Sequence, residues 1–264
     1  MKVDEIVLSE TPDMNKLPGG WIPDTMNIEL NINSETTVVN VPNVPGAYVI
    51  KNALTDTDCD KLIELFLSSH IAAPVSVQGN KDVPDDRIGS VRATGWCLNL
   101  SSKLWKLMKP FVPKEKLVNI FTSTDWWQNG KQEQLPKWKA IGLTPMLRFM
   151  KYEKNGQHYA HYDAGYIYRN PDYRSLMSFV LYLTTNTEGG ATRFINDKQQ
   201  DIPVYERNHE DWTREVNTDE VIAANYPVKG DILFFDHRIC HDVESYHGNG
   251  PRIIIRGDIL FESM

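Results

Sequence analysis

The stretch MLRFMKYEKNGQHYAHYD, residues 146–163, carries both the periodicity and the polar pair that decide the fold prediction. Its first half places apolar side chains at alternate positions such as Leu147 and Phe149, which is the two-residue period of a β-strand. It ends in His161-Tyr162-Asp163. Because residues two apart on a strand point to the same face, His161 and Asp163 can both reach one metal ion. The stretch therefore predicts a strand that presents two metal ligands.

Short apolar or alternating segments recur between residue 145 and the end of the chain, and Gly, Pro, Asn or Asp bound each of them. No helical stripe separates them, which indicates an antiparallel sandwich or jelly roll rather than alternating βα units. We therefore predict a mainly β fold with a barrel over residues 145–262. The segments after residue 163 are SLMSFVLYLT (175–184), ATRFI (191–195), VKGDILFF (228–235) and RIIIRGDILF (252–261).

Helical periodicity lies upstream of these strands. A stripe of apolar residues predicts a helix over 56–68, and Thr55 with Asp58 forms a start that resembles a capping box. A second helix is predicted through SSKLWKLMKPFV, residues 101–112. We expect these helices to make segment 55–122 a helical support for the barrel.

The rest of the chain consists of an N-terminal arm and a polar insert. Residues 1–45 carry scattered Pro, Gly and Asn and are predicted to pack on the core as an arm, while 46–264 forms one domain. The insert 196–227 lies between two predicted strands, and its part 197–220 holds eight acidic and three basic residues. A solvated loop or short helix and a lid over the site both remain open for the insert.

Composition excludes several classes of protein. The chain has 28 Lys and Arg against 35 Asp and Glu, and the net charge of −7 argues against a nucleic-acid partner. It has no run of 18 apolar residues and no basic stretch followed by an apolar segment at its N-terminus, so we expect no membrane association. Its three cysteines are far apart and odd in number, which favours free thiols and a cytoplasmic location.

A second histidine ligand is expected from another strand. Two His and one carboxylate on one face of a metal bind Fe(II) and leave three positions open for a co-substrate and dioxygen. His241 closes the segment GDILFFDHRICHDV, where a buried strand reaches the rim of the barrel, while His237 and His247 lie in turn-rich sequence and are expected to face water. Eleven residues after His241, Arg252 can present a guanidinium to a distal carboxylate.

The sequence holds one other His-x-Asp pattern, His209-Glu210-Asp211. It lies in the acidic insert with no strand pattern around it. We expect His209 to be solvated and the pattern to bind no metal.

Taken together, these motifs resemble the prolyl 4-hydroxylase-like branch of the 2-oxoglutarate/Fe(II)-dependent dioxygenases. YEKNGQHYAHYD looks like the strand that leads into the family's metal motif, and GGATRF at 189–194 resembles its glycine-led strand. GDILFF…CHDV followed by Arg252 resembles its distal His and its co-substrate cation. PGAYVIKNALTDTDCDKLIELFL looks like the entry to its catalytic domain, so the resemblance covers about residues 45–262.

The resemblance implies a double-stranded β-helix, a cupin-like jelly-roll barrel with flanking helices. It also implies that His161, Asp163 and His241 hold Fe(II), and that Arg252, aided by Tyr152, binds 2-oxoglutarate. With O2 the enzyme would then oxidise, and most simply hydroxylate, an unactivated C–H bond while 2-oxoglutarate becomes succinate and CO2.

The substrate is expected to be a small molecule such as an amino acid or a natural-product intermediate, because no added segment is long enough to be a peptide-binding domain. A prolyl-type hydroxylase of proteins or peptides, or a peptide-binding module, is the alternative. Arg193, Arg256 and Trp212 are candidates for substrate contact. Arg256 lies four residues after Arg252, on the same face of a regular strand, and either meets a substrate carboxylate or caps the barrel end.

Overall fold

Strands dominate the described chain. The computed structural model describes residues 20–22, 28–69, 72–74, 87–120, 137–166, 168, 170, 172–199, 202, 208 and 214–264. Within these residues the helices are α1 (Asp56–Ser68), α2 (Leu98–Met108) and α3 (Lys114–Leu117), with 3₁₀ turns at Lys109–Phe111 and Thr218–Glu220. The strands are β1 (Gly20–Ile22), β2 (Thr37–Asn40), β3 (Tyr48–Lys51), β4 (Ala73–Pro74), β5 (Arg87–Trp96), β6 (Val118–Ile120), β7 (Lys137–Leu143), β8 (Met146–His161), β9 (Tyr173–Tyr182), β10 (Thr192–Ile195), β11 (Val221–Asn225), β12 (Ile232–Asp236), β13 (His241–Val243) and β14 (Arg252–Ser263).

The strands pair into one curled sheet that is antiparallel except where β1 pairs with β5. Its main path runs β11-β10-β13-β8-β14-β9-β12-β3-β2, with β5 on β8 and β7 on β14. Strand β14 pairs with the first half of β8, where Arg252 lies opposite Tyr152, and β13 pairs with the end of β8, where His241 lies opposite His161. The sheet therefore divides at β8 into two facing sheets. This is the predicted double-stranded β-helix, and the mainly β fold class is confirmed.

Strand β8 bends where its neighbour changes from β14 to β13. At the bend Asn155 has a φ of +65°, in the left-handed region. A Cβ on Gly156 would lie 2.8 Å from the carbonyl oxygens of both Glu153 and Gly89. Only glycine fits so close to two backbone groups. The bend lets one strand contribute to both sheets.

The two sheets enclose an interior apolar cluster, and the helices cover the outside of the larger sheet. On β14, Ile254 belongs to the interior cluster, whereas Ile253 and Ile255 pack in a cluster that also contains Leu62 of α1 and Leu104 of α2. Strands buried on both faces are nearly continuously apolar, as β9, β12 and β14 are. The interior cluster consists of Val41, Val44, Ala47, Val49, Met150, Tyr152, Val180, Tyr182, Phe194, Leu233, Phe235, Val243 and Ile254.

Helix α1 begins as its capping pattern predicts, and its bounds match the predicted helix. The Thr55 side chain accepts a hydrogen bond from the backbone N–H of Asp58 at 3.2 Å. The Asp58 carboxylate in turn accepts one from the backbone N–H of Asn31 at 2.8 Å. The first turn of the helix thus also holds the segment that precedes β2. Helix α2 starts three residues earlier than predicted and ends before Pro110.

Segment 55–122, predicted as helical support, also contains a long strand. Strand β5 has ten residues and pairs with β8 through nine of them, with Gly89 left unpaired at a bulge and Gly95 paired near its end. These glycines interrupt the alternation of apolar side chains, so the sequence pattern did not indicate a strand. The support is therefore mixed, with helices outside and β5 inside the sheet.

The last part of the insert 196–227 belongs to the sheet. Strand β11 pairs with β10, and a capping box between Asn217 and Glu220 closes the turn before it. Residues 221–225 therefore form an edge strand of alternating exposure, which the sequence analysis did not predict, and the choice between a solvated loop or short helix and a lid stays open for the rest of the insert. The division into an arm over 1–45 and a domain over 46–264 stays a prediction.

The structure also bears on the predicted free thiols and on the expected lack of membrane association. Cys59, Cys97 and Cys240 are all buried and form no disulfide. None of the helices in the described ranges has the length and apolar composition needed to cross a membrane.

Removal of the α1 cap tests how much this local contact stabilises the fold. We expect Thr55→Ala to lower the free energy of unfolding by about 1 kcal/mol, because it leaves a helix N–H without its side-chain partner. Thr57→Ala is the matched control, since Thr57 is exposed in the same turn. Denaturant unfolding measures both, and equal stabilities of the two variants would contradict the role of the cap.

Candidate metal centre

Three side chains meet at the end of the barrel where β8 stops and β13 starts. His161 is the last residue of β8, His241 is the first of β13, and Asp163 follows β8 by two residues. The His161 Nε2 lies 3.8 Å from Asp163 Oδ1, and the His241 Nε2 lies 3.7 Å from Asp163 Oδ2. One ligand atom from each residue lies within 4.8 Å of the others. The predicted pair and the predicted third residue are therefore brought together.

Backbone carbonyls fix the orientation of both imidazoles. His161 Nδ1 lies 2.7 Å from the carbonyl oxygen of Tyr159, and His241 Nδ1 lies 2.9 Å from that of Ile239. Because a carbonyl only accepts, each Nδ1 must carry the proton and donate it. Each Nε2 then keeps its lone pair and faces the other ligands, which is the tautomer that a metal requires.

The electrostatics of the cluster favour the same protonation states. Burial, followed by the neighbouring imidazoles, holds the pKa of His161 well below its usual value, and burial also lowers the pKa of His241. Burial alone would raise the pKa of Asp163, but Arg256 and then the two imidazoles hold it well below its usual value. Neutral imidazoles and an ionised carboxylate are the forms that bind a divalent metal.

Arg252 is completely buried inside the barrel and only partly satisfied. Its Nε donates to the carbonyl of Gly190 at 2.8 Å, and its guanidinium carbon lies 4.7 Å from the ring centre of Tyr152 and 5.9 Å from that of Tyr182. Neither terminal nitrogen has a hydrogen-bond partner in the part of the chain that the structure describes. A buried guanidinium with two unpaired NH2 groups is costly unless an anion binds there, and its fork matches a carboxylate.

The glycine-led segment 189–194 shapes the space around this guanidinium. Gly190 has a φ of +75°, and a Cβ there would lie 2.9 Å from Cδ of Arg252. Across the same space, Tyr182 shares a hydrogen bond of 2.9 Å with Thr192 and accepts one from Asn225 at 3.2 Å. No sequence motif marks these three polar residues, because each belongs to a strand whose pattern is otherwise apolar.

His158 is a fourth ring beside the cluster that the sequence analysis did not predict. It is buried, and its imidazole stacks on that of His161 with ring centres 3.6 Å apart. His158 also lines a polar cavity of about 550 Å³. The bend at Gly156 determines which side chains after it face this cavity, and that bend has no simple sequence pattern.

The other candidates divide into residues near the centre and residues away from it. Arg256 contacts Asp163 directly, with 2.7 Å between Nη2 and Oδ1. Arg193 points outward from β10 and pairs with Asp242 of β13, its Nε lying 2.9 Å from Oδ1, at the wall of the polar cavity. Trp212 and His209 lie outside the described residues.

The two remaining histidines of the segment after β12 have different surroundings. His247 is exposed, as predicted. The prediction that His237 faces water is wrong, because it is buried with Nε2 3.3 Å from Asp258 Oδ1. The turn brings it under β14, which the local sequence alone does not reveal.

The family comparison agrees with this geometry. The family model of the 2OG-Fe(II) oxygenase superfamily matches residues 147–257, which include all three clustered residues and Arg252. This part of the chain belongs to that superfamily, and the protein is an Fe(II)/2-oxoglutarate-dependent dioxygenase. Its cofactors are Fe(II), 2-oxoglutarate as co-substrate, and O2. No curated protein matches the chain.

Solved structures with a similar fold have low sequence identity to the chain. A viral collagen prolyl hydroxylase from Paramecium Bursaria Chlorella virus-1 has 16% identity and a TM-score of 0.45, covering 82% of this chain and 96% of its own. A prolyl hydroxylase from Trichoplax adhaerens has 16% identity and a TM-score of 0.49, covering 82% and 84%. HygX from Streptomyces hygroscopicus has 9% identity and a TM-score of 0.47, covering 82% of each chain.

Single substitutions test the metal centre. We expect His161→Ala, Asp163→Ala and His241→Ala each to weaken Fe(II) binding, because each removes a direct ligand. Loss of a group that only hydrogen-bonds to a ligand typically lowers metal affinity roughly 10- to 100-fold, and the three variants should lose more than that. His247→Ala is the control, since this histidine is exposed. Calorimetric titration with Fe(II) under anaerobic conditions, or with Co(II), measures the affinity. Unchanged affinity in all three site variants would overturn the assignment.

Proposed function

We propose that His161, Asp163 and His241 hold Fe(II) and that Arg252 with Tyr152 holds 2-oxoglutarate, in an oxygenase that hydroxylates a small molecule. The observation that carries this proposal is the pair of unpartnered terminal nitrogens on the fully buried Arg252, in the same barrel as the three clustered residues. They lie in the barrel that ends at two neutral imidazoles and an ionised carboxylate. Together these groups fit a ligand with a carboxylate at one end and metal-binding oxygens at the other.

The residues of the chain have distinct tasks in this scheme. When bound, Fe(II) with 2-oxoglutarate and O2 supplies the oxidising power for a C–H bond. Arg252 binds the distal carboxylate of 2-oxoglutarate through two N–H groups, and Tyr152 and Tyr182 flank the guanidinium and exclude water. Charge-assisted bonds in a buried site are strong, so this end fixes the position of the co-substrate.

The polar cavity beside His158 supports a small-molecule substrate. Its volume of about 550 Å³ lies within the range of roughly 300–1,000 Å³ that small-molecule sites occupy. His158, one of its lining residues, also stacks on His161 of the metal centre. The Arg193–Asp242 pair and Glu215 line its wall, so the cavity offers both charges to a polar substrate such as an amino acid or a natural-product intermediate.

The same proposal includes roles for Arg193 and Trp212 and a location in the cell. Arg193 would meet the substrate at the cavity wall, and Trp212 would do so from the insert. Three buried free thiols and the acidic net charge favour a cytoplasmic enzyme that binds neither nucleic acid nor membrane.

Arg252 tests the co-substrate site. We expect Arg252→Ala to raise the Kd for 2-oxoglutarate at least about 100-fold, equivalent to roughly 3 kcal/mol, while Fe(II) stays bound, because a buried charge-assisted pair is lost away from the metal. Arg252→Lys should recover part of the affinity, since charge remains but the planar fork does not. Arg174→Lys, at a buried guanidinium stacked on Trp138, controls for loss of packing. A wild-type Kd in Arg252→Ala would place the carboxylate elsewhere.

Substrate class is tested by turnover of 2-oxoglutarate in the presence of candidate substrates. We expect free amino acids or other polar small molecules to increase succinate formation and to yield a product heavier by one oxygen atom, and proline-containing peptides to have no effect. Mass spectrometry of the product distinguishes coupled from uncoupled turnover. Stimulation by peptides alone would favour the prolyl-type hydroxylase instead.

A further inference from the structure

A row of buried charged side chains extends from Asp163 to the far side of β14. Arg256 Nη2 lies 2.7 Å from Asp163 Oδ1 and 3.2 Å from Asp258 Oδ1. Asp258 also pairs with Arg148 of β8, where Nη1 and Oδ2 are 3.1 Å apart, and lies 3.3 Å from His237. Arg256 is thus held between two carboxylates, one of which belongs to the metal centre.

Both oxygens of the Asp163 carboxylate have a polar partner. Arg256 Nη2 forms an ion pair with Oδ1, and the Ser178 hydroxyl donates to Oδ2 while it accepts a hydrogen bond from Arg256 Nη2 at 3.1 Å. Rotation of the carboxylate would break both contacts, so the two partners fix its plane. The guanidinium is charged and the hydroxyl is neutral, so Oδ1 is the oxygen that its partner holds more strongly. Oδ2 is therefore the oxygen better able to bind a metal.

We propose that Arg256 is a positioning residue that keeps Asp163 a one-oxygen ligand of the metal. This inference rests on the proposed function of the three clustered residues. Two histidines and one oxygen leave three of six positions open, as 2-oxoglutarate and O2 together require. If Asp163 bound through both oxygens, two positions would remain, and 2-oxoglutarate would fill both. Arg256 thus protects the position for O2.

The surroundings of Arg256 hold it in this place. The same Nη2 that contacts Asp163 also pairs with Asp258, which is fixed in turn by Arg148. Asp258 itself does not touch the metal centre, so it supports Arg256 without competing for the metal. Arg148 forms an ion pair with Asp258 but none with Asp163. A substitution of Arg148 therefore removes one charge from the same row while the Arg256–Asp163 contact stays, which makes it a matched control.

The test uses nitric oxide as a probe for the O2 position of the Fe(II) protein with 2-oxoglutarate bound. We expect Arg256→Met and Arg256→Gln, at saturating Fe(II) and 2-oxoglutarate, to lower the nitric oxide affinity about tenfold or more, a loss of the size that removal of an outer partner causes at metal sites. Electron paramagnetic resonance of the nitrosyl complex measures the affinity. Arg256→Lys should restore most of it, and Arg148→Met should lower it much less than the two neutral Arg256 variants do.

Each outcome decides between roles. Wild-type nitric oxide affinity in both neutral variants would overturn the inference, and if it came with a raised KM for substrate, Arg256 would be a substrate contact. An equal loss in Arg148→Met would show a general effect of the charged row and would also overturn it. Failure of the wild-type protein to bind Fe(II) and 2-oxoglutarate would refute the proposed function itself. If Arg256→Met does not fold, Arg256→Gln, which keeps a polar donor, carries the test.

Discussion

The pairing of one edge of β8 with two successive strands is the constraint on which the rest of the molecule depends. Its first half pairs with β14 and places Tyr152 opposite Arg252, and its end pairs with β13 and places His161 opposite His241. Arg252 and the two clustered histidines are therefore positioned by a single register. Because a slip of one residue would turn every side chain of β8 to the other face, folding the barrel correctly and assembling the site are the same event.

Burying the charged groups of this barrel costs desolvation free energy, and only contacts with groups of opposite charge offset that cost. Removing one member of a buried ion pair typically destabilises a protein by about 3–5 kcal/mol, since the other charge stays desolvated. The row from Asp163 through Arg256 to Asp258 and Arg148 alternates in sign, so each charge lies beside its opposite. Arg252 differs from this row because neither of its two terminal NH2 groups has a hydrogen-bond partner among the described residues, whereas Arg256 lies between two carboxylates.

Short sequence patterns correctly predicted those features of the protein that depend on interactions between neighbouring residues. The strand alternation, the Thr55 cap and the two-residue spacing of His161 and Asp163 are each written within a few neighbouring residues, and all appear in the structure. Contacts that depend on the register between distant strands were missed, as for Arg256 against Asp163. The burial of His237 and the stack of His158 on His161 depend on a turn and a bend whose geometry no short pattern records.

Both histidines of the cluster are oriented by main-chain carbonyls two residues before them, at Tyr159 and Ile239. No side chain is needed to select the tautomer, so substitutions of cavity residues that do not contact the two rings leave their tautomer as it is. Apart from His158, which stacks on His161, the polar cavity is in this sense decoupled from the histidine geometry. A protein built this way can acquire a new substrate by changing cavity residues one at a time, without passing through variants that have lost the orientation of their histidine ligands.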